Sequence, residues 1–222
     1  MVRVALVENF KARGNMAMRN GDPVAARAFY SEALEVPEVP QQVRAALYGN
    51  RTACLLALNQ PELAAADAER ALELVPGWVK GHFRLGCARE SMGDLEGARR
   101  AFEAALELEP DNTEIKARLG KCIAQIEASF DERKREADGA FNEGRVREAT
   151  ELYSSLLRDK PADVRVLSCR SACHLHAGEW ADVEEDVGAA LALPDIPNRT
   201  HLKLLLRRAQ ARLRTGRRAG NV

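Results

Sequence analysis

Small and apolar residues return at a fixed phase in three stretches of the chain. Gly14, Gly21, Ala26, Tyr30 and Ala33 form the first, and Ala64, Ala68, Ala71 and Pro76 the second. The third is Gly86, Gly93, Ala98, Phe102, Ala105 and Pro110, which registers with the second at 34 residues. Four extra residues around Val39 and Pro40 separate the first from the second. A later series runs Gly144, Ala149, Tyr153 and Pro161, then Gly178, Val187 and Ala190, then Ala209 and Gly216. This pattern predicts helix–turn–helix units. Gly21-Asp22, Gly93-Asp94, Gly144 and Gly178-Glu179-Trp180 mark tight turns between helices. Pro76, Pro110 and Pro161 cannot continue a helix, so each closes a unit. Gly14, Gly86, Ala26 and Ala98 let paired helices approach closely, and Tyr30 and Phe102 are expected to fill the space between neighbouring units.

Between the third and fourth units the spacing breaks and leaves room for one more helix, at about 112–129. Ile115, Leu119, Ile123, Ile126 and Phe130 form an apolar stripe there, with Glu114, Lys116, Arg118 and Lys121 largely off it. Such a helix covers the apolar end of a helical stack and is expected to run on into the fourth unit. With no Gly/Ser/Pro-rich linker, the junction reads as stiff. The last unit has a first helix, about 199–215, and no second one. That reads either as a fragment or as an end that needs a partner. The organisation expected is a first module at 1–111, a capping or linker helix at 112–129, and a second module at 130–222. The whole pattern resembles the tetratricopeptide repeat, a 34-residue helix–turn–helix unit. The resemblance implies an all-α solenoid of about five and a half repeats.

Composition agrees with helices. The 222 residues include 37 alanines, 5% aromatics and 30% charged residues, a mixture that favours closely packed helices over a sheet. No apolar run is long enough for a transmembrane helix, and the N-terminal run is too short for a signal peptide. Five cysteines without framework spacing fit a reducing cytoplasm. Lys+Arg and Asp+Glu number 33 each, which argues against general attraction to nucleic acid or an anionic membrane. The balance hides an uneven layout. Residues 1–110 carry 13 basic and 15 acidic groups, 111–195 carry 12 and 18, and 196–222 carry 8 and none.

Repeat alignment places Lys11 and Asn15 on the first helix of one unit, Asn50 on that of the next, and Lys80 and Arg84 on the third. Lys11/Asn15 and Lys80/Arg84 are each spaced i,i+4 and share a helix face. In the strings Lys-Ala-Arg-Gly-Asn, Tyr-Gly-Asn-Arg-Thr-Ala and Lys-Gly-His-Phe-Arg, these five resemble the two-carboxylate clamp of co-chaperones of heat shock protein 70 and heat shock protein 90. The resemblance implies a non-enzymatic adaptor that holds the C-terminal Glu-Glu-Val-Asp tail of those chaperones; a general peptide-binding scaffold is the alternative. The chemistry suits the residues. A terminal Asp presents two carboxylates at one point, three cations oppose them, and two amides donate without adding charge. Each charge-assisted bond contributes roughly 1.5–3 kcal/mol net. Ala53, Cys54 and Ala57 continue the Asn50 face; they are small and uncharged and do not choose between the two chaperones.

The second module holds Lys134, Asp138, Cys169, Lys203 and Arg207 at equivalent positions. Both asparagines are replaced: Asp138 can neutralise Lys134 and repel a carboxylate, and Cys169 is a poor donor. A degenerate groove is expected, empty or suited to a different peptide. Cys169, Cys173, His174 and His176 cluster in sequence, but the histidines lie roughly 100° and 300° further round a helix. No zinc spacing fits, and neither metal nor cofactor is expected. Arg207, Arg208, Arg212, Arg214, Arg217 and Arg218 lack interleaved aromatics for nucleic-acid stacking. They read as one solvated helix whose acidic partner helix lies further on. The chain has no phosphate loop, Gly-x-Ser-x-Gly elbow or His-Glu-x-x-His, so no enzyme is expected.

Overall fold

The computed structural model describes residues 2–216, so Arg217 and Arg218 of the basic end lie outside the described residues. The described residues form eleven helices and no strand. In order these are α1 (Val2–Arg19), α2 (Pro23–Glu35), α3 (Gln41–Ala57), α4 (Pro61–Leu74), α5 (Val79–Ser91), α6 (Leu95–Leu108), α7 (Thr113–Asn142), α8 (Val146–Asp159), α9 (Val164–Ala177), α10 (Trp180–Leu191) and α11 (Asn198–Arg214). The architecture is the all-α repeat stack. Two compact units divide it, one ending at Ile126 and the other starting at Glu127.

Local chemistry sets the helix ends. Gly21 and Gly93 adopt φ of 74° and 77°, a left-handed backbone that only glycine takes without strain. The chain then folds back: the Asp22 N–H bonds Ala17 O at 2.9 Å and the Gly21 N–H bonds Met18 O at 3.1 Å, which satisfies the last carbonyls of α1. Asp22 next caps α2 by accepting from the Ala25 N–H at 2.9 Å, with Pro23 opening the helix. Asp94 repeats this on Gly97 at the start of α6. Asn59, at φ 54°, makes the same turn before α4 without a glycine. At the other joints Val75, Glu109 and Lys160 precede prolines, and all three share one extended backbone (φ −139° to −131°, ψ 79° to 84°). A proline excludes the α region from its predecessor, so the helix stops one residue early.

In the first unit α1 pairs with α2, α3 with α4 and α5 with α6. Tyr30 and Phe102 are fully buried, and each ring lies on the glycine of its own pair: a Cβ on Gly14 would sit 2.6 Å from Tyr30, and one on Gly86 2.5 Å from Phe102. The ring space is therefore created within a repeat, and only then shared with the next, where Leu47 and Cys54 meet Tyr30. This refines the expectation that the rings fill space between repeats. Gly86→Leu is expected to destabilise the first unit by about 2–3 kcal/mol, because the enclosed ring cannot move aside. A lowered urea midpoint checks it.

The extra helix does not stop at Ser129. α7 runs unbroken for 30 residues. Its seam in the first unit is Ile115, Leu119, Cys122 and Ile126, packed on Ala98, Phe102 and Ala105. Ile123 is 40% exposed, contrary to the stripe expected from sequence, and Cys122 takes its place. Seven residues return to the starting face of a helix within about 20°, whereas eight overshoot by about 80°. In the second unit α7 pairs Phe130, Ala137 and Ala140 with Ala149, Tyr153 and Leu156, and the core continues through Val166, Cys173, Val183, Val187 and Leu204.

Candidate functional site

Two asparagines on different helices meet first. Asn15 of α1 accepts from Asn50 Nδ2 of α3 at 3.4 Å, and its Oδ1 also accepts from the Tyr30 hydroxyl at 2.6 Å. With that oxygen engaged by two donors, the Asn15 amide is held with its NH2 end as the group left to donate. Tyr30 thus does more than fill the core: its ring sits on Gly14 and its hydroxyl orients Asn15. Burial pushes the Tyr30 hydroxyl up to about 12, which keeps it a donor at neutral pH.

Arg84 of α5 comes to the same place. Its Nη1 is buried and has no hydrogen-bond partner. The guanidinium lies over Trp78, 5.7 Å from the ring centroid, and against Gly49, where a Cβ would be 2.7 Å from Nη1 and 2.1 Å from Trp78. Gly49 is what lets α5 bring both groups beside Asn50. Desolvation lowers the Arg84 pKa, partly offset by the Tyr30 and Cys54 groups nearby. A desolvated guanidinium N–H left without an acceptor is costly unless an anion completes it. Lys11, one turn before Asn15, leans on Glu8 at 3.2 Å. Lys80, one turn before Arg84, is exposed and makes no ion pair among the described residues. Two amides and a half-buried arginine with its Nη1 enclosed are therefore gathered around α1, α3 and α5, with one lysine a turn away on each side. Sequence reading missed Trp78, Gly49 and the hydroxyl role of Tyr30. The adjacency Gly49-Asn50 was the available signal for a close approach there.

The second set of positions behaves differently. Lys134 Nζ pairs with both Asp138 oxygens at 3.0 and 2.8 Å, and the Tyr153 hydroxyl donates to Asp138 at 2.7 Å, the counterpart of Tyr30 on Asn15. Burial first, and then this bond to a carboxylate, raise the Tyr153 pKa. Arg207 spends Nη1 on the Ser168 carbonyl, Ser168 Oγ (3.0 Å) and Ser171 Oγ (3.1 Å). Ser168 stands where the first unit has Gly49, so the arginine left without a partner in one unit is satisfied in the other. Cys169 is half-buried and Lys203 exposed.

Other candidates are separated by the structure. All five cysteines are free; Cys54, Cys122 and Cys173 are buried, while Cys87 and Cys169 are half-buried. Burial pushes the Cys54 and Cys173 thiols up to about 11. His174 turns from Cys169 and Cys173 to Glu179, at 2.6 Å, near Asp182, where the three ligand atoms lie within 4.8 Å of one another. That pairing joins the end of α9 to the start of α10. Two ion pairs built on buried aspartates, Arg51–Asp67 and Arg170–Asp186, were not anticipated. No helix among the described residues is long and apolar enough to cross a membrane.

Comparison with known proteins places this geometry in a family. Residues 79–112, which carry Lys80 and Arg84, match the model of the tetratricopeptide repeat. The Hsp70-Hsp90 organizing protein of Triticum aestivum is 33% identical over 154 residues, 69% of this chain and 26% of that protein. The Sgt2 TPR domain from Aspergillus fumigatus is 33% identical with a TM-score of 0.51, over 55% of this chain and 80% of that one. The first TPR of Spaghetti (RPAP3), bound to the HSP90 peptide SRMEEVD, is 27% identical with a TM-score of 0.52, over 55% of this chain and 94% of that one. The chain spans well under half the length of the curated relatives it matches. Paired helices closed by glycine and proline, rings seated on repeat glycines and these likenesses agree: the chain belongs to the tetratricopeptide repeat family.

Proposed function

We propose that the first module, residues 1–111, binds the acidic C-terminal Glu-Glu-Val-Asp tail of heat shock protein 90 and/or heat shock protein 70, with Lys11, Asn15, Asn50, Lys80 and Arg84 as the clamp. The chain then acts in the cytoplasm as an adaptor that holds a chaperone and carries out no chemistry of its own. The observation that carries this reading is the buried Arg84 Nη1 without a partner beside the Asn15–Asn50 pair. A terminal Asp supplies what this place lacks: one carboxylate for Arg84 and the amides, and a second for the flanking lysines. The likeness to a TPR domain bound to SRMEEVD supports the same ligand class.

Fluorescence anisotropy with a Met-Glu-Glu-Val-Asp peptide and its C-terminally amidated twin tests the proposal. The free acid is expected to bind on the order of tenfold or more tightly than the amide, since one charge-assisted contact is lost. Its affinity is expected to fall as salt rises, because the lysines remain solvated. Equal binding of the two peptides would leave a general scaffold as the better reading.

The second groove is proposed not to take such a tail, since Asp138 occupies Lys134 and the serines occupy Arg207. Asp138→Asn with Cys169→Asn, placed in a chain whose first clamp is disabled, is expected to restore measurable binding of the free-acid peptide. The double change frees Lys134 and installs two amide donors. Peptide binding that stays absent would mean that Arg207, held by the serines, is the decisive loss.

A further inference from the structure

We propose that His174, Glu179 and Asp182 form a binding site for a divalent first-row transition-metal ion at the turn between α9 and α10. Their ligand atoms are already close. His174 Nδ1 lies 2.6 Å from Glu179 Oε2, and one such atom from each of the three residues lies within 4.8 Å of the others. Ligands on a tetrahedral zinc ion stand about 3.3 Å apart, so small side-chain rotations admit the ion between them.

The turn itself brings the three together. Gly178, at φ 75°, ends α9, and the Glu179 N–H folds back onto His174 O at 2.9 Å. Glu179 and Asp182 follow three residues apart at the start of α10, on one face. Neither carboxylate is spent on the helix. Glu179 stands at the N-cap position without bonding a backbone N–H, unlike Asp22 and Asp94. Asp182 is exposed and has no hydrogen bond or ion pair among the described residues. The imidazole is supported from behind. With an ion on Nδ1 the ring proton sits on Nε2, which faces Asp186 Oδ2 at 3.8 Å. Asp186 is 2% exposed and fixed by Arg170, whose Nε and Nη2 donate to it at 3.0 and 2.5 Å. A carboxylate behind the ring is how proteins hold a metal-binding histidine in one orientation.

The first unit shows the same turn without these groups. The offset that carries Arg51 to Arg170 and Asp67 to Asp186 also carries Leu55 to His174, Gln60 to Glu179 and Leu63 to Asp182. The arginine–aspartate pair is kept, while two leucines and an amide give way to an imidazole and two carboxylates. The cations go the other way. Arg27 and Arg70 line that place in the first unit, and their counterparts are Thr150 and Ala189. Arg27 donates to Gln60 at 3.1 Å, whereas the Thr150 hydroxyl turns to Val146 O. Two carboxylates thus stand where the neighbouring arginines were lost, and a divalent cation restores the balance. A ring nitrogen beside carboxylate oxygens favours a transition metal over calcium or magnesium, which take oxygen ligands. The thiols are not involved, so the Cys and His spacing along α9 did not reveal the site.

Isothermal titration of the full chain with zinc chloride, the thiols kept reduced, tests the site. One ion is expected to bind with a dissociation constant in the micromolar range, three protein ligands leaving the remaining position to water. Asp182→Asn, at an exposed position without partners, is expected to weaken binding about tenfold or more with helicity unchanged. Even the groups behind metal ligands are worth about 10–100-fold. His174→Gln is expected to do the same. The visible spectrum of the cobalt-loaded chain is expected to lack a thiolate charge-transfer band. Zinc affinity that survives both variants overturns the proposal. So does a thiolate band abolished by Cys169→Ser, which would give the ion to the cysteines. Displacement of zinc by equimolar magnesium would leave only an acidic patch, and no binding at millimolar zinc would leave only the His174–Glu179 pair.

Discussion

With Lys80 and Arg84 both changed to glutamate, the chain is expected to lose affinity for the Met-Glu-Glu-Val-Asp peptide by at least about 100-fold while its helicity stays intact. Each charge-assisted bond is worth roughly 1.5–3 kcal/mol, and two such losses already amount to more than a hundredfold. The new carboxylates add repulsion at the point where the ligand concentrates its charge. The two residues should not contribute equally. Lys80 is exposed and screened by solvent, so its single substitution costs little and mostly flattens the salt dependence. Arg84 lies over Trp78 and against Gly49, with Nη1 already desolvated before any ligand arrives. A tail that reaches it meets a donor whose dehydration was completed on folding. Arg84→Lys is therefore expected to lose on the order of tenfold, since a flexible point charge cannot reproduce the fixed planar donor. Isothermal titration of the three variants checks this ranking. If affinity survives the double change, the clamp is elsewhere.

The positions proposed for the clamp are placed by the sequence alone because i,i+4 spacing and repeat register are properties of a single helix and of its copies. Their surroundings are not. Trp78 reaches Gly49 across two helices, and no periodicity within either helix encodes that approach. The swap of Ile123 for Cys122 has another origin: Ile123 is the more hydrophobic, but helical phase puts Cys122 on the seam, and position prevails over hydrophobicity. The long α7 is harder still. Its first half closes one set of repeats and its second half opens another, so a single stripe read over its length mixes two faces. In the second groove the pairing of Asp138 with Lys134 is legible, since the two are neighbours on one helix turn. The capture of Arg207 by Ser168 and Ser171 needs two helices and is invisible to spacing alone.

Asp67→Ala is expected to destabilise the first unit by about 2–3 kcal/mol, because it leaves the half-buried Arg51 guanidinium without its main counterion. Asp67 is 3% exposed in the middle of an alanine-rich face of α4. Its two oxygens accept from Arg51 Nε and Nη2 at 2.6 and 2.8 Å, and Arg51 Nη1 donates to Ser31 of α2 at 3.0 Å. One guanidinium thus ties α3 to both neighbouring helices. That bond raises the Arg51 pKa, and the residue cannot escape by losing its proton. The loss would consume a large share of a typical domain's 5–15 kcal/mol or so. Replacing both partners, Arg51→Met with Asp67→Leu, is expected to be nearly neutral, since the pair is repaid little beyond its own desolvation. The second unit repeats the device with Arg170, Asp186 at 2.5 Å and Ser154 at 3.1 Å, so Asp186→Ala should act there in the same way. Urea unfolding of the single and double variants separates the two outcomes. Arg51 also follows Asn50 directly, so a loosened α3 should weaken tail binding in Asp67→Ala even where the protein remains folded. If Asp67→Ala costs less than about 1 kcal/mol, the pair is solvated in solution and the placement of Asn50 must come from the Tyr30–Asn15 bond instead.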